Sequence, residues 1–267
     1  MGLNDGIGAI RGINHILDAL SPAEIRRLAG AFPPVFFAAN TVVLELGQAV
    51  ESVYFPLNGV VALLAQLGDG STLEVATVGS EGVVGVPLVR GGSSAVRAVA
   101  QMAGWVIRLD AARFLAELER YGPLREVVND YLATLISQIS QSAVCNRLHS
   151  REQRLSRWLL LTHDRAGRDV VDISREFLGQ LLGCSPLTVA LSAGILEAGG
   201  AIRYRHGEIT IADRAGLEAA ACECYGATRR QLDHAARPAD ERAGADAGRV
   251  LSGRAREGRR ARVAAPS

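Results

Sequence analysis

The chain has 267 residues, 48% of them hydrophobic, and a formal net charge of +1. This is enough for one large or two modest domains with a real core, and no apolar run reaches the roughly 18–20 residues that span a bilayer. The N-terminus has no basic stretch leading into an apolar block, so the expectation is a soluble, cytoplasmic protein with no membrane partner.

The first predicted helix lies in "HILDALSPAEIRRLAG". Ser21-Pro22-Ala23-Glu24 has the form of a capping box, and Gly30 is the expected stop. From Val35 to Leu109 the period changes. Short apolar runs alternate with turn signals: "VYFPLNG", "VVALLAQL", the turn Gly68-Asp69-Gly70, "STLEVATVG", then Gly91-Gly92, "AVRAVAQM" and "WVIRLD". Strands of five to eight residues at this spacing predict an antiparallel barrel or roll of the cupin-like kind, within residues 1–122.

Asp110 opens a helical stretch, and residues 123–146 read as a long helix. Leu124, Val128, Tyr131, Leu135, Ile139 and Ser142 form a narrow seam along it. A small roll has little else to bury such a stripe, so the seam is expected to be a dimer interface; packing on the helix's own roll is the alternative.

Residues 147–226 form a second unit. An amphipathic helix with Leu155, Trp158, Leu159 and Thr162 on one side precedes a short strand, "VVDIS". Then comes "FLGQLLGCSPLTVALSAGILEAGG", which reads as two helices joined by a tight turn. Leu178, Leu182, Val189, Ile195 and Leu196 are its expected inner face. "AIRYRHGEITIAD" reads as a hairpin turning at His206-Gly207, and helix–turn–helix plus hairpin is a winged-helix arrangement. The overall class is α+β. Residues 227–267, rich in Arg, Ala and Gly, are expected to be a disordered tail.

Charge follows this division. Residues 1–146 carry 9 Arg against 13 acids (−4), residues 147–214 carry 10 Arg against 8 acids (+2), and residues 229–267 carry 10 Arg against 5 (+5). An acidic front and a basic back suit a nucleic-acid partner for the second half. Every basic side chain is Arg, a bias that fits genome composition better than chemistry.

N-terminal helices, roll, long helix and winged helix in this order resemble the Crp/Fnr superfamily of bacterial transcription regulators. The most specific segment is "SREFLGQLLGCSPLTVALSAGILEAGGAI", with Gly179, Gly183 and Val189 at the family's spacing; "VYFPLNGVVALL" and "NRLHSREQRLSRWLLL" add support. The resemblance is to a branch without an assigned effector. It implies a homodimer on a pseudo-palindromic double-stranded DNA operator, with RNA polymerase as a further partner.

Cyclic-nucleotide-binding members of the family carry a Gly-Glu-Leu stretch and an Arg-Ser/Thr-Ala stretch. Here these fall on Gly85-Val86-Pro87 and near Ser94-Ala95, so the carboxylate and the guanidinium are both missing. Val86, Ser94 and Arg97 mark where an effector pocket would lie, although the strand parity of Arg97 differs by one from the missing Arg. Cyclic AMP is therefore not expected. The family's iron–sulfur sensors use an N-terminal cysteine cluster, whereas the first cysteine here is Cys145.

A cupin-type metal enzyme is disfavoured, because His15, His149, His163, His206 and His234 all lie outside the roll. No nucleophile–base pair or phosphate-cradling loop is evident, and no enzymatic role is expected. Cys222-x-Cys224 has metal-ligand spacing, but no histidine near it in sequence completes a set. Its thiols read as structural, and no cofactor or metal is expected.

For contact with DNA, Arg175, Ser185, Thr188, Arg203, Arg205 and His206 can position the protein on phosphates. The base-reading positions hold Pro186, Leu187 and Leu191, where many relatives present Arg and Glu. Leucines can touch thymine methyls but cannot make the bidentate guanine bonds that discriminate by about 1–3 kcal/mol. A degenerate helix pair acting through protein contacts is the competing expectation.

Overall fold

The computed structural model describes residues 14–28, 34–86, 93–120 and 122–235, apart from the side chains of Arg26 and His234. The expected stops and turns at Gly30 and Gly91-Gly92 lie outside these residues, as do Pro87 and residues 236–267.

Among the described residues two short helices come first, α1 (His15–Asp18) and α2 (Pro22–Leu28). The capping box forms as read: the Ser21 amide donates to Glu24 Oε2 at 2.8 Å, and the Glu24 amide donates to Ser21 Oγ at 3.3 Å. The described residues then form β1 (Val35–Phe37), β2 (Val42–Leu44), β3 (Ser52–Pro56), β4 (Val60–Gln66), β5 (Thr72–Val78), β6 (Arg97–Met102) and β7 (Gly104–Asp110). They pair antiparallel in two sheets, ordered β1-β7-β3 and β2-β6-β4-β5.

Period-2 alternation sends Val53, Phe55, Val61, Leu63, Ala98, Ile107 and Leu109 into the roll. The opposite parity sends Ala62, Leu64 and Val99 into a second core, which they share with the C-terminal unit.

Asp110 accepts from the Arg113 amide at 3.0 Å and caps α3 (Ala111–Leu118), which delivers the fully buried Phe114 against Phe55. The long helix, α4, runs Pro123–Leu148. Its seam corrects the dimer expectation. Leu124, Val128, Tyr131 and Leu135 are buried in the core of their own roll. Tyr131 packs against Gly82, where a Cβ would collide with the ring. Each such apolar side chain contributes about 1.5–3 kcal/mol to holding the stem on the roll.

The phase of the seam also differs by one residue. Gln138, not Ile139, continues it, because Gln138 Oε1 accepts the buried Thr77 amide at 2.7 Å. Ser142 is buried too and accepts from Arg157 at 3.2 Å, whereas Ile139 points outward.

Ser150 starts a new helix, α5 (Arg151–Ala166), through a capping box with Gln153. Leu155, Trp158, Leu159 and Thr162 are buried, as their spacing requires. This face lies on the outer side of the roll. Trp158 Nε1 donates to Glu74 at 3.1 Å, Gln101 Nε2 to Thr162 at 2.8 Å, and Arg165 pairs with Glu81 at 2.8 Å.

Next come β8 (Val170–Asp172), α6 (Arg175–Leu182), α7 (Pro186–Ala198), β9 (Ile202–Arg205), β10 (Glu208–Ile211), α8 (Arg214–Ala220) and α9 (Cys224–Ala235). The helix α9 overturns part of the tail expectation. Residues 227–235 are helical and pack on α4 and α5.

Candidate nucleic-acid interface

Ser174 caps α6 by accepting from the Phe177 amide, and α6 ends at Gly183, whose φ of +61° is the left-handed conformation glycine tolerates. The chain then turns by 95° into α7. Gly179 is required by the turn: a Cβ there would lie 2.6 Å from the Cys184 carbonyl oxygen. The close approach at Gly179 is thus a contact of helix with turn backbone.

Ser185 caps α7, accepting from the Thr188 amide at 3.2 Å, with its hydroxyl 3.0 Å from that of Thr188. Both hydroxyls expected to meet phosphate are therefore engaged in the cap, and Thr188 is half-buried. Pro186 occupies the first helical position, where a missing amide costs nothing.

Val189, Ser192, Ala193 and Leu196 form the buried face of α7. Ser192 is accommodated because its hydroxyl donates to Glu152 at 2.7 Å, a bond that also lowers the Glu152 carboxyl below its ordinary range. Ile195, expected inside, is outside. It joins Leu187 and Leu191 at spacings of four, and the three are 59, 70 and 64% exposed. The outward face of the second helix is thus an apolar ridge.

The wing is the hairpin β9–β10 in a three-stranded sheet, β8-β10-β9. It turns at His206 and Gly207, whose φ values of 51° and 85° fit a two-residue turn that twists with the strands. Arg203, Arg205 and His206 are exposed along it, with Ile202 and Tyr204 facing the core.

Arg175 sits with its guanidinium 5.2 Å from the centre of the Tyr204 ring, which orients it beside the wing. Burial raises the Tyr204 hydroxyl above its ordinary value, and the nearby Arg175 charge opposes this. Arg205 pairs with Glu197 at 2.6 Å, but 69% of its side chain is exposed. An exposed pair of this kind is weak and can yield to a phosphate.

The residues named for an effector do not converge. Val86 is buried in the roll core, and the Ser94 hydroxyl turns onto the Val96 carbonyl. Arg97 lies opposite Leu64, on the outer face of the sheet, and pairs with Glu45 at 3.2 Å. The parity difference read from the sequence thus points Arg97 away from the interior.

A wing and a helix–turn–helix on a roll with a long stem define a DNA-binding protein of the winged-helix type. Residues 34–121 match the cyclic nucleotide-binding domain, and residues 153–220 match the Crp-like helix-turn-helix domain. In this order and together over more than half of the chain, these matches mean that it belongs to the Crp/Fnr superfamily. It is a transcription regulator of that type with a helix–turn–helix DNA-binding domain.

Solved structures share the fold. A protein described as a Crp/Fnr-family regulator from Eubacterium rectale has 16% identity, covering 75% of this chain and 94% of its own, at a TM-score of 0.60. FixK2 from Bradyrhizobium japonicum has 17%, covering 72% and 98%, at 0.61. A CRP/FNR-family regulator from Thermus thermophilus has 22%, covering 71% and 98%, at 0.55. No curated protein matches by sequence. Among the described residues no single helix is long and apolar enough to cross a membrane.

Proposed function

We propose that the chain acts in the cytoplasm as a homodimer on a pseudo-palindromic operator, with α7 in the major groove and no catalytic role. The observation that carries this is the placement of α7. Its inner face is locked in the core, while its outer face is exposed, as are Arg175 and the wing residues Arg203, Arg205 and His206. The arginines supply phosphate attraction, and Leu187, Leu191 and Ile195 meet thymine methyls and read groove shape.

The second copy lies along a face of α4 that the chain leaves uncovered. Ile136, Ile139 and Ala143 recur there at spacings of three and four, all three exposed, Ile136 at 64%. An effector other than a cyclic nucleotide biases the spacing of the two recognition helices, and RNA polymerase receives the signal. The inward-facing Val86 and outward-turned Arg97 support a non-nucleotide effector.

Selection of genomic fragments by the purified protein tests this reading. The expected result is a pseudo-palindrome with half-sites about 10–10.5 base pairs apart, bound with steep salt dependence. Enrichment no better than random duplex at low salt would overturn it.

A further inference from the structure

Four side chains that DNA binding does not use meet where the stem ends. Cys145 and His149 are one helical turn apart at the C-terminal end of α4. Cys222 and Cys224 bring two more sulfurs to them from the entry of α9. The thiols of Cys145, Cys222 and Cys224 are all but sealed from solvent, at 0, 4 and 1% exposure.

The four potential ligand atoms all lie within 4.8 Å of one another. Cys145 Sγ is 3.5 Å from Cys222 Sγ, and Cys224 Sγ is 3.5 Å from His149 Nδ1. Zinc bonds of about 2.3 Å to sulfur and about 2.0–2.1 Å to nitrogen, set tetrahedrally, give edges of about 3.8 Å and 3.5 Å. The cluster is already close to that size.

A supporting shell surrounds it. The far ring nitrogen of His149, Nε2, lies 3.3 Å from the carboxylate of Glu223. A hydrogen bond there holds the ring with Nδ1 turned toward the sulfurs. Gln141 Nε2 donates to Cys224 Sγ at 2.9 Å, and the Arg157 guanidinium donates to Ser142 Oγ, one helical turn before Cys145 on α4. Three thiolates and a neutral imidazole around a divalent ion leave one net negative charge for that arginine to offset.

We propose that the chain binds one zinc ion through the sulfurs of Cys145, Cys222 and Cys224 and Nδ1 of His149. Four protein ligands leave no open position, so the site is structural rather than catalytic. Ligand atoms this close enclose a single ion and not a multi-iron cluster. The ion pins α9 across the end of α4, beside Ser150, where the stem hands over to the winged unit.

The full-length protein, purified without chelator and with a thiol reductant, is the sample. Elemental analysis is expected to find one zinc per chain after gel filtration. Chelation followed by Co2+ alone is expected to give thiolate-to-cobalt charge transfer and the strong visible bands of tetrahedral cobalt, both abolished by one equivalent of Zn2+.

Replacing the exposed Glu223 with Gln keeps the ligands and is expected to weaken zinc about 10-fold. Replacing Cys222 and Cys224 with Ser is expected to weaken it more than about 100-fold, with circular dichroism as the check on folding. Reduced wild-type protein that takes up neither ion, or zinc binding equally tight in the double serine variant, would overturn the proposal. So would a Cys145–Cys222 disulfide that persists under reductant.

Discussion

The indole nitrogen of Trp158 donates to Glu74 across 3.1 Å, joining the first helix of the winged unit to the outer face of the roll. Around this bond, burial pushes the Glu74 carboxyl from its ordinary 4.5 up to about 7, with the Trp158 hydrogen bond and the Arg157 charge acting against the rise. A raised acid favours the protonated folded state. Its contribution to stability is complete below pH 4.5 and is lost as pH rises through about 7. Thermal melts are expected to show Tm falling across that window. Glu74→Gln, which keeps an acceptor for the indole, is expected to flatten the fall; an unchanged slope would show that Glu74 does not carry it.

Gly179→Ala places a methyl carbon 2.6 Å from the Cys184 carbonyl, with backbone on both sides of the clash. The expected cost is about 1–3 kcal/mol of stability, the usual range for forced overpacking. Denaturant unfolding measures it, and loss of DNA affinity should accompany it.

Neighbouring residues on α4 separate packing on the roll from pairing of two stems. Leu135→Ala is expected to cost about 2–5 kcal/mol of unfolding free energy and leave the oligomeric state unchanged. Ile136→Glu is expected to do the reverse, leaving stability near that of the parent and dissociating the dimer in sedimentation runs. Equal behaviour of the two variants would return the dimer contact to the buried seam.

On the wing, Arg203→Ala is expected to weaken all DNA sequences alike and to lower the slope of log affinity against log salt by about 1. A change in preferred sequence would instead assign Arg203 to base reading. Leu187→Asp distinguishes the ridge on α7 as a DNA contact from a protein-binding patch, since only the first predicts loss of DNA binding in a folded variant.

What could be read from the sequence was local. The Ser21–Glu24 box and the His206-Gly207 turn each depend on residues within four positions, and both appear as read. The phase of α4 did not, because Gln138 is buried by its bond to Thr77, 61 positions away, and an apolar stripe passes over a polar member. Ile195 was misplaced because α7 is apolar nearly all round, which leaves its inner face unmarked. His149 was missed as a companion of Cys224 because 75 positions of chain separate them and only the return of α9 closes the distance.

Ala62, Leu64 and Val99 belong to strands of the roll, yet they fill the same core as Leu155 and Leu159. The two halves are therefore not beads on a string. A gene fragment encoding the winged unit alone would expose a bare greasy wall and precipitate or borrow a partner to hide it. Evolution could not readily have shuffled this reader onto another sensor without repainting that wall.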